Sequence, residues 1–324
     1  MAEIEASSGR KSKKSRKDKK RSKHKKAKSG ANHSDEEIHY TKRRKNRMTQ
    51  AFKTTRARKA KSLKIPSLAV TAGGYIIPDP EKGDEGCEDA YFISKDHKCI
   101  AVFDGLGDEQ LIHSRQYALA LVEAVGKAYE GGNKDPLSLL EIAYDYAQGK
   151  KYLGGSTATV AVVGPGQVNM AYLGDSQIAV LRPKDRWIET MFVSHGQEWY
   201  FNAPYQINSI NREMTPRTHA AQASVPVLPD DIILIGSDGL WDNISEDDIF
   251  QKLLRSYISE PRAPGKIAKY LADEAYRVVR TAKRKNATPF GKRFAQVMKQ
   301  SWKGGKVDDI TVVVALLKHS KYDY

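Results

Sequence analysis

Cysteine is nearly absent, with two residues, Cys87 and Cys99, in a chain of 324. They form no C-x-x-C pair, which argues against a zinc ribbon or a dithiol redox motif, and two thiols make no disulfide framework. Such sparing use points to a reducing compartment, with both residues packing as ordinary half-buried thiols. Long hydrophobic runs are missing as well. No apolar stretch approaches the ~18 residues that a membrane-spanning helix needs, so no membrane partner is expected. The N-terminal residues pass from Met1-Ala2-Glu3-Ile4-Glu5 into a polycationic stretch without an apolar segment, which does not read as a secretory signal.

Acidic residues are scarce at the front of the chain. Residues 1–64 hold 24 Lys and Arg against 6 Asp and Glu, a net charge of +18, whereas the remainder holds 30 against 33, a net of −3. The overall +15 therefore describes the front of the chain. This segment is poor in large apolar side chains and cannot offset its ordering entropy by burial, so 1–64 reads as a disordered basic tail and 65–324 as the folded domain. Its dense run Lys11–Lys28 and the clusters Lys42-Arg43-Arg44-Lys45 and Arg56–Lys59 are features of interaction arms. They suit non-specific nucleic-acid binding or an import receptor, and favour the nucleus or nucleolus as location.

From Leu68 onward, short apolar runs alternate with turn residues. Ala90–Ser94 and Lys98–Phe103 read as strands, followed by helices at Glu109–Tyr129 and Pro136–Ala147, the second capped by Asp135. Strands are expected at 158–163, 169–173, 177–181, 187–192, 231–236 and 310–317, and helices at 246–258 and 267–281. Residues 194–229 read as an irregular surface excursion. Strands in groups, with helices in two blocks, fit an α+β fold of antiparallel sheets with helices outside and not a doubly wound parallel sheet.

Five acidic spots share one local pattern: a carboxylate at the end of an apolar strand, beside glycine or another turn residue. They are Glu88-Asp89, Asp104-Gly105, Gly174-Asp175, Ser237-Asp238-Gly239 and Asp308-Asp309. A strand end fixes a side chain, and glycine lets the backbone turn and its carbonyl come close. Carboxylates gathered in one place repel unless protonated or neutralised, and hard oxygen donors suit Mg²⁺ or Mn²⁺ better than zinc.

The set Gly86-Cys87-Glu88-Asp89-Ala90, Phe103-Asp104-Gly105, Gly155-Ser156-Thr157, Leu173-Gly174-Asp175-Ser176, Ser237–Asn243 and Asp308-Asp309-Ile310-Thr311 resembles, in order, the motifs of the protein phosphatase 2C (PPM) family. The match runs from about Gly73 to Val314. Tyr75–Lys82, Phe201–Gln206 and Thr288-Pro289-Phe290 look closer to the short eukaryotic branch whose fungal and animal members act in mitochondria, which makes the mitochondrion the alternative location. The resemblance implies a β-sandwich of two antiparallel sheets flanked by helices (α-β-β-α) and a monomeric Ser/Thr phosphatase acting on phosphoproteins. It implies two divalent ions and a weaker third. Asp104 would bridge the first two, with the Gly105 carbonyl on one; Asp238 and Asp308 would hold the first ion and Glu88 the second. Asp89 would support the set, and Asp175 with Asp238 would match the third position, with Asp242 in its surroundings. Asp104, Asp238 and Asp308 thus become the catalytic carboxylates. Two such ions about 4 Å apart lower the pKa of a shared water for in-line attack on phosphorus.

The sequence departs from the family pattern at three places. Leu106 stands where many members carry a general-acid histidine, and Asp108 where a second glycine is usual. The family's phosphate-gripping arginine is also missing, with Asp84 near its place, so Lys82 becomes the candidate phosphate ligand. His113 and His195 read as structural residues, Trp241 and Trp199 as packing residues, and Asn243 or Ser245 as a helix cap. Two alternatives stay open: a PPM-like scaffold impaired through Leu106 or Asp108, and a nucleic-acid-associated protein acting through its tail.

Overall fold

The computed structural model describes residues 68–82, 86–107, 110–260, 262–281 and 283–320. The expected tail with its basic clusters lies outside these residues, as do Asp84 and Asp108. In chain order come β1 (Leu68–Ile77), β2 (Ala90–Ile93), β3 (Cys99–Phe103), β4 (Gly105–Leu106), α1 (Ser114–Glu130) and α2 (Pro136–Gly149). There follow β5 (Gly155–Ser156), β6 (Ala158–Gly164), β7 (Gln167–Leu173), β8 (Gln177–Pro183), β9 (Ile188–Val193), β10 (Glu198–Tyr200), β11 (Ala203–Pro204) and β12 (Ile207–Asn208). The last third holds α3 (Pro216–His219), β13 (Ala221–Pro226), β14 (Ile232–Gly236), α4 (Asp238–Trp241), α5 (Glu246–Ser259), α6 (Pro264–Thr281), α7 (Pro289–Met298) and β15 (Ile310–His319).

Two five-stranded antiparallel sheets result, ordered β1-β15-β14-β8-β9 and β13-β7-β6-β3-β2. The two-residue side-chain period explains how they stack. Along β15, Val313, Ala315 and Leu317 join Ile233, Ile235, Ile178, Val180, Ile100 and Val102 in the core between the sheets. Ile310, Val312, Val314 and Leu316 point the other way, onto Leu240, Leu253, Ile267 and Leu271 of α4, α5 and α6. In the second sheet Cys99, Ala101 and Phe103 pack against Tyr117, Leu121, Leu139 and Leu140 of α1 and α2. This is the expected α-β-β-α sandwich. β15 buries side chains on both faces, which is why Ile310–Leu317 is apolar at every position except the buried Thr311 instead of alternating. No helix among the described residues is long and apolar enough to cross a membrane.

Local chemistry sets the element ends. Asp135 caps α2 by accepting from the amides of Leu137 and Ser138, with Pro136 at the first helical position. Ser245 caps α5 by accepting from the Asp248 amide. Asn243 is no cap: its side chain bonds Gly239, and donates to and accepts from the Lys306 backbone.

Several expectations need correction. α1 begins at Ser114 and not at residue 109. Ser114 Oγ donates to the Leu106 and Leu111 carbonyls, and the His113 amide bonds Leu153, so this turn is spent on tertiary contacts. Within that helix Leu119 faces solvent, 49% exposed. β14 starts after Asp231, whose fully buried carboxylate accepts from Arg182 at 2.7 and 2.8 Å and from the Leu228 amide. The 194–229 segment is not wholly irregular: it holds β10–β12, α3 and the edge strand β13, paired with β7 over six residues. β13 alternates over Ala221-Gln222-Ala223-Ser224-Val225, with the small or apolar side chains inward, but only Val225 is buried and two of its three inward residues are alanines, so the strand signal is weak. α7 was not expected; Thr288 caps it by accepting from the Gly291 amide.

Candidate active site

The acidic spots end strands of both sheets on one side of the sandwich. Asp104 follows β3, Asp175 follows β7, Asp238 follows β14, and Asp308-Asp309 precede β15. One carboxylate oxygen from each of Asp104, Asp175 and Asp238 lies within 4.8 Å of the others. Thr157, fully buried, helps fix two of them. Its hydroxyl meets the Asp104 amide at 3.2 Å and Ser176 Oγ at 2.9 Å, and its own amide donates to the Asp104 carbonyl. The Gly155-Ser156-Thr157 motif is therefore the brace between the Asp104 and Asp175 turns.

Lys306 ties in the remaining side. Its Nζ contacts Asp238, Asp242 at 3.2 Å and Asp308 at 3.0 Å. Burial works against the ammonium, but the charges of Asp238, Asp308 and Asp242 outweigh it and hold its pKa well above the ordinary value. A cavity of about 280 Å³ opens beside Asp175, Asp238 and Asp242, with Glu198 and Arg293 across from them. Arg293 pairs with Glu198 and lies 3.8 Å from Asp242.

Asp309 has a different job. It is buried, accepts from the amides of Asp79 and Glu88, and takes an ion pair from Lys82 at 2.8 Å. Burial raises its pKa, yet the Lys82 ammonium and these amides prevail and hold it below the ordinary carboxylate range. Asp309 thus pins the backbone at Glu88. The Glu88 carboxylate pairs with Lys82 at 2.5 Å, so it stands outside the group of three oxygens, while Asp175, expected only at the weaker position, stands inside it. Lys82 is engaged by both carboxylates. Gly105 is required over Glu88, since a Cβ there would sit 2.5 Å from the Glu88 carbonyl oxygen; a Cβ on Gly107 would meet only the movable Glu88 Oε1, at 2.5 Å.

The electrostatics are those of crowded, buried carboxylates. Burial and the charges of Asp89, Asp238 and Asp308 push Asp104 well above the ordinary value. Asp175 and Asp308 rise for the same two reasons, burial and then Asp238. Burial and the Asp309 charge push Asp89 up to about 7, and burial and Asp238 push Asp242 up to about 6. Both Asp89 oxygens and Asp175 Oδ1 are buried without a hydrogen-bond partner. An all-oxygen donor set with unsatisfied buried anions, facing one lysine, fits hard divalent cations such as Mg²⁺ or Mn²⁺.

The other singled-out residues fall outside this ring. Burial and the Asp89 charge push the Cys87 thiol up, and burial pushes Cys99 up to about 12, as for unreactive thiols. His113 Nδ1 accepts from the Leu153 amide, and His195 is exposed. Trp241 is buried and donates to the Gly236 carbonyl, but Trp199 is 60% exposed beside Tyr205 and is not a core residue. Leu106 presents no acid group; its carbonyl serves as the acceptor for Ser114. Lys306 and Arg293 escaped the sequence reading, since nothing local distinguishes them from surface cations. Asp309 was seen as a motif residue without a role.

No family model matches the chain. Individual relatives do. The chain is 31% identical over 262 residues to "Probable protein phosphatase 2C 80" of Arabidopsis thaliana, covering 79% of this chain and 60% of that protein. It is 30% identical over 259 residues to "Putative protein phosphatase 2C 24" of Oryza sativa subsp. japonica, covering 78% of each. The chain thus spans less than two thirds of the Arabidopsis relative but most of the rice one. Among solved structures it is similar to the photosystem II phosphatase PBCP, with a TM-score of 0.65 and 29% identity over 77% of this chain and 99% of that one. The catalytic domain of the serine threonine protein phosphatase PstP, solved with two manganese ions, shares the fold with a TM-score of 0.54 and 15% identity over 78% of this chain and 100% of that domain. With the sandwich, the strand-end carboxylates and these relatives in agreement, the chain belongs to the protein phosphatase 2C family.

Proposed function

We propose that this protein is a metal-dependent protein serine/threonine phosphatase. The observation that carries the reading is the gathering of Asp104, Asp175 and Asp238 oxygens beside a cavity, with buried carboxylate oxygens that no protein donor satisfies. Asp104, Asp238 and Asp308, with the Gly105 carbonyl and Glu88, would hold two Mg²⁺ or Mn²⁺ ions, and Asp175 with Asp238 a weaker third. Bound there, the ions supply a water of lowered pKa and neutralise charge on the phosphoryl oxygens.

The protein's own groups do the rest. Asp309 fixes the Glu88 backbone, Thr157 fixes Asp104, and Asp89 adds negative charge behind the ring. Lys82, beside Glu88, is the candidate cation for the substrate phosphate. With Leu106 at the usual histidine place, the leaving oxygen takes its proton from water. The retained carboxylates favour an active enzyme over an impaired scaffold. In the full-length protein, a phosphothreonine peptide should turn over in Mn²⁺ or Mg²⁺ with kcat on the order of 1–10 s⁻¹ and cease when EDTA is added. Absence of turnover in both ions would support the scaffold.

The expected location is the nucleus or nucleolus, since the basic segment is Lys-rich and lacks the amphipathic, Arg-rich spacing of a transit peptide. A fusion of residues 1–64 to a fluorophore should accumulate there; mitochondrial accumulation would reverse this reading.

A further inference from the structure

Between Glu274 and Asp308 the chain carries ten Lys and Arg residues and no acidic residue. This run is unexpected in a region, 65–324, whose net charge is −3. Three of the ten are neutralised: Arg277 by Glu274, Arg293 by Glu198, and Lys306 by the carboxylate ring. Lys283, Arg284, Lys285, Lys292, Lys299 and Lys303 are exposed and have no ion-pair partner among the described residues.

Two of these lysines are paired through their backbones. Lys285 and Lys303 face each other across an isolated antiparallel bridge. Residues directly opposite place their side chains on the same face with Cβ atoms about 4.5–5.5 Å apart, and like charges so placed repel. The neighbouring backbone leaves them little freedom. The Asn286 amide donates to the Trp302 carbonyl at 2.8 Å, and the Trp302 amide donates to Asn286 Oδ1 at 2.9 Å. Trp302 in turn packs on Phe290 and Phe294, with ring centroids at 4.9 and 5.1 Å. This fixed backbone starts both exposed lysine side chains from neighbouring points, where one anionic group can reach both.

The platform adjoins the carboxylate ring. The Phe290 amide donates to the Asp242 carbonyl at 3.0 Å, Arg293 lines the cavity shared by Asp175 and Asp238, and Lys306, three residues beyond Lys303, reaches Asp238. We propose that the surface formed by Lys283, Arg284, Lys285 and Lys303 binds acidic residues flanking the phosphorylated side chain, so that the enzyme acts on phosphosites set in acidic sequence. This rests on the phosphatase reading and narrows its substrate class. A peptide that brings one phosphate to the metal ring and its carboxylates to the lysines matches both neighbouring fields. A nucleic acid, with a phosphate at every step, would lay some of its charge against Glu198, Asp242 and Asp175.

The test compares the full-length protein with the variant Lys283→Gln/Arg284→Gln/Lys285→Gln/Lys303→Gln. Both carry the same basic tail, so their difference isolates the platform. The probes are phosphothreonine peptides flanked by Glu or by Gln, with p-nitrophenyl phosphate as a substrate that has no flanks. In Mn²⁺ the wild-type protein should prefer the Glu peptide by about tenfold in kcat/KM, mainly through KM, and the preference should shrink at high salt. The variant should lose the preference and keep its rate on p-nitrophenyl phosphate. A wild-type ratio near one, or a ratio that survives in the variant, overturns the proposal. If the wild-type protein hydrolyses none of these substrates, the phosphatase reading fails separately. Fluorescence anisotropy of the labelled Glu peptide then decides on the platform: binding about tenfold weaker in the variant upholds it, and equal binding overturns it. A single-stranded RNA that loses more affinity than the Glu peptide on going to the variant also overturns it.

Discussion

Replacing Asp104 by Asn should lower kcat by about 10³-fold or more and, at the same time, raise the melting temperature of the metal-free protein. The two effects have one cause. Asp104 is buried among Asp89, Asp238, Asp308 and Asp175, whose charges all raise its pKa. With cations present, its carboxylate is the oxygen donor at the centre of the ring, and its loss removes metal-assisted stabilisation of the transition state; 10³-fold corresponds to about 4 kcal/mol. Without cations, burial and the neighbouring carboxylates make this carboxyl costly to fold in either protonation state, and the neutral amide of Asn relieves that cost. A gain of about 1 kcal/mol would show as about 2–4 °C in a domain of this size. Activity within tenfold of wild type in Asp104→Asn would remove Asp104 from the catalytic set. A variant that is inactive and also melts lower would point to a structural role.

Metal removal should make stability depend on pH in an unusual direction. Asp89 is raised from 3.8 to about 7 and Asp242 from 3.8 to about 6, and Asp104, Asp175 and Asp308 are also raised. A carboxyl with a raised folded pKa keeps its proton in the folded chain where the unfolded chain has released it. Unfolding then releases protons, so stability is lost as pH rises from about 4 through about 7. Asp309 is shifted the opposite way, and its contribution is lost only as pH falls below that window. In EDTA, melting temperature should therefore fall between pH 5 and pH 7.5. Mn²⁺ at a hundredfold excess over its Kd should restore about 2.7 kcal/mol, or about 5–10 °C, at the upper pH. Calorimetry across this range checks it; a metal-free melting temperature that is flat or rising with pH would show that the ring is not charged as described.

Much of this site was legible because its carboxylates are placed by strand ends. Asp104, Asp175 and Asp238 each follow an apolar run and precede or follow glycine, so local sequence foretells both the strand and the turn. The partners of those carboxylates were not legible. Lys306 reaches Asp238 only because β15 pairs with β14, and Arg293 reaches the cavity only because α7 packs against the Asp242 turn. The pairing of Glu88 with Lys82 and Asp309 likewise depends on contacts more than 200 residues apart in sequence for Asp309. Among the elements, β15 and β6 declared themselves by apolar, β-branched runs interrupted only by Thr311 and Thr159. β13 did not, because its short alternation rests on two alanines and a single buried valine, a weak strand signal. α1 was read five residues too long because the turn before Ser114 is set by bonds to Leu106 and Leu153, which local sequence does not show.

The Lys306 ammonium within the carboxylate ring also bears on which ions the protein accepts. It is a tethered competitor, present at a local concentration that dilution cannot lower. A monovalent ion arriving from solution offers no more charge than the group it would displace, and lacks the covalent link that keeps that group in place. A doubly charged ion offers more, so the ring discriminates by valence before any question of size arises. The same lysine lowers the repulsion among Asp238, Asp242 and Asp308 whenever no cation is bound, with a side chain the chain already owns.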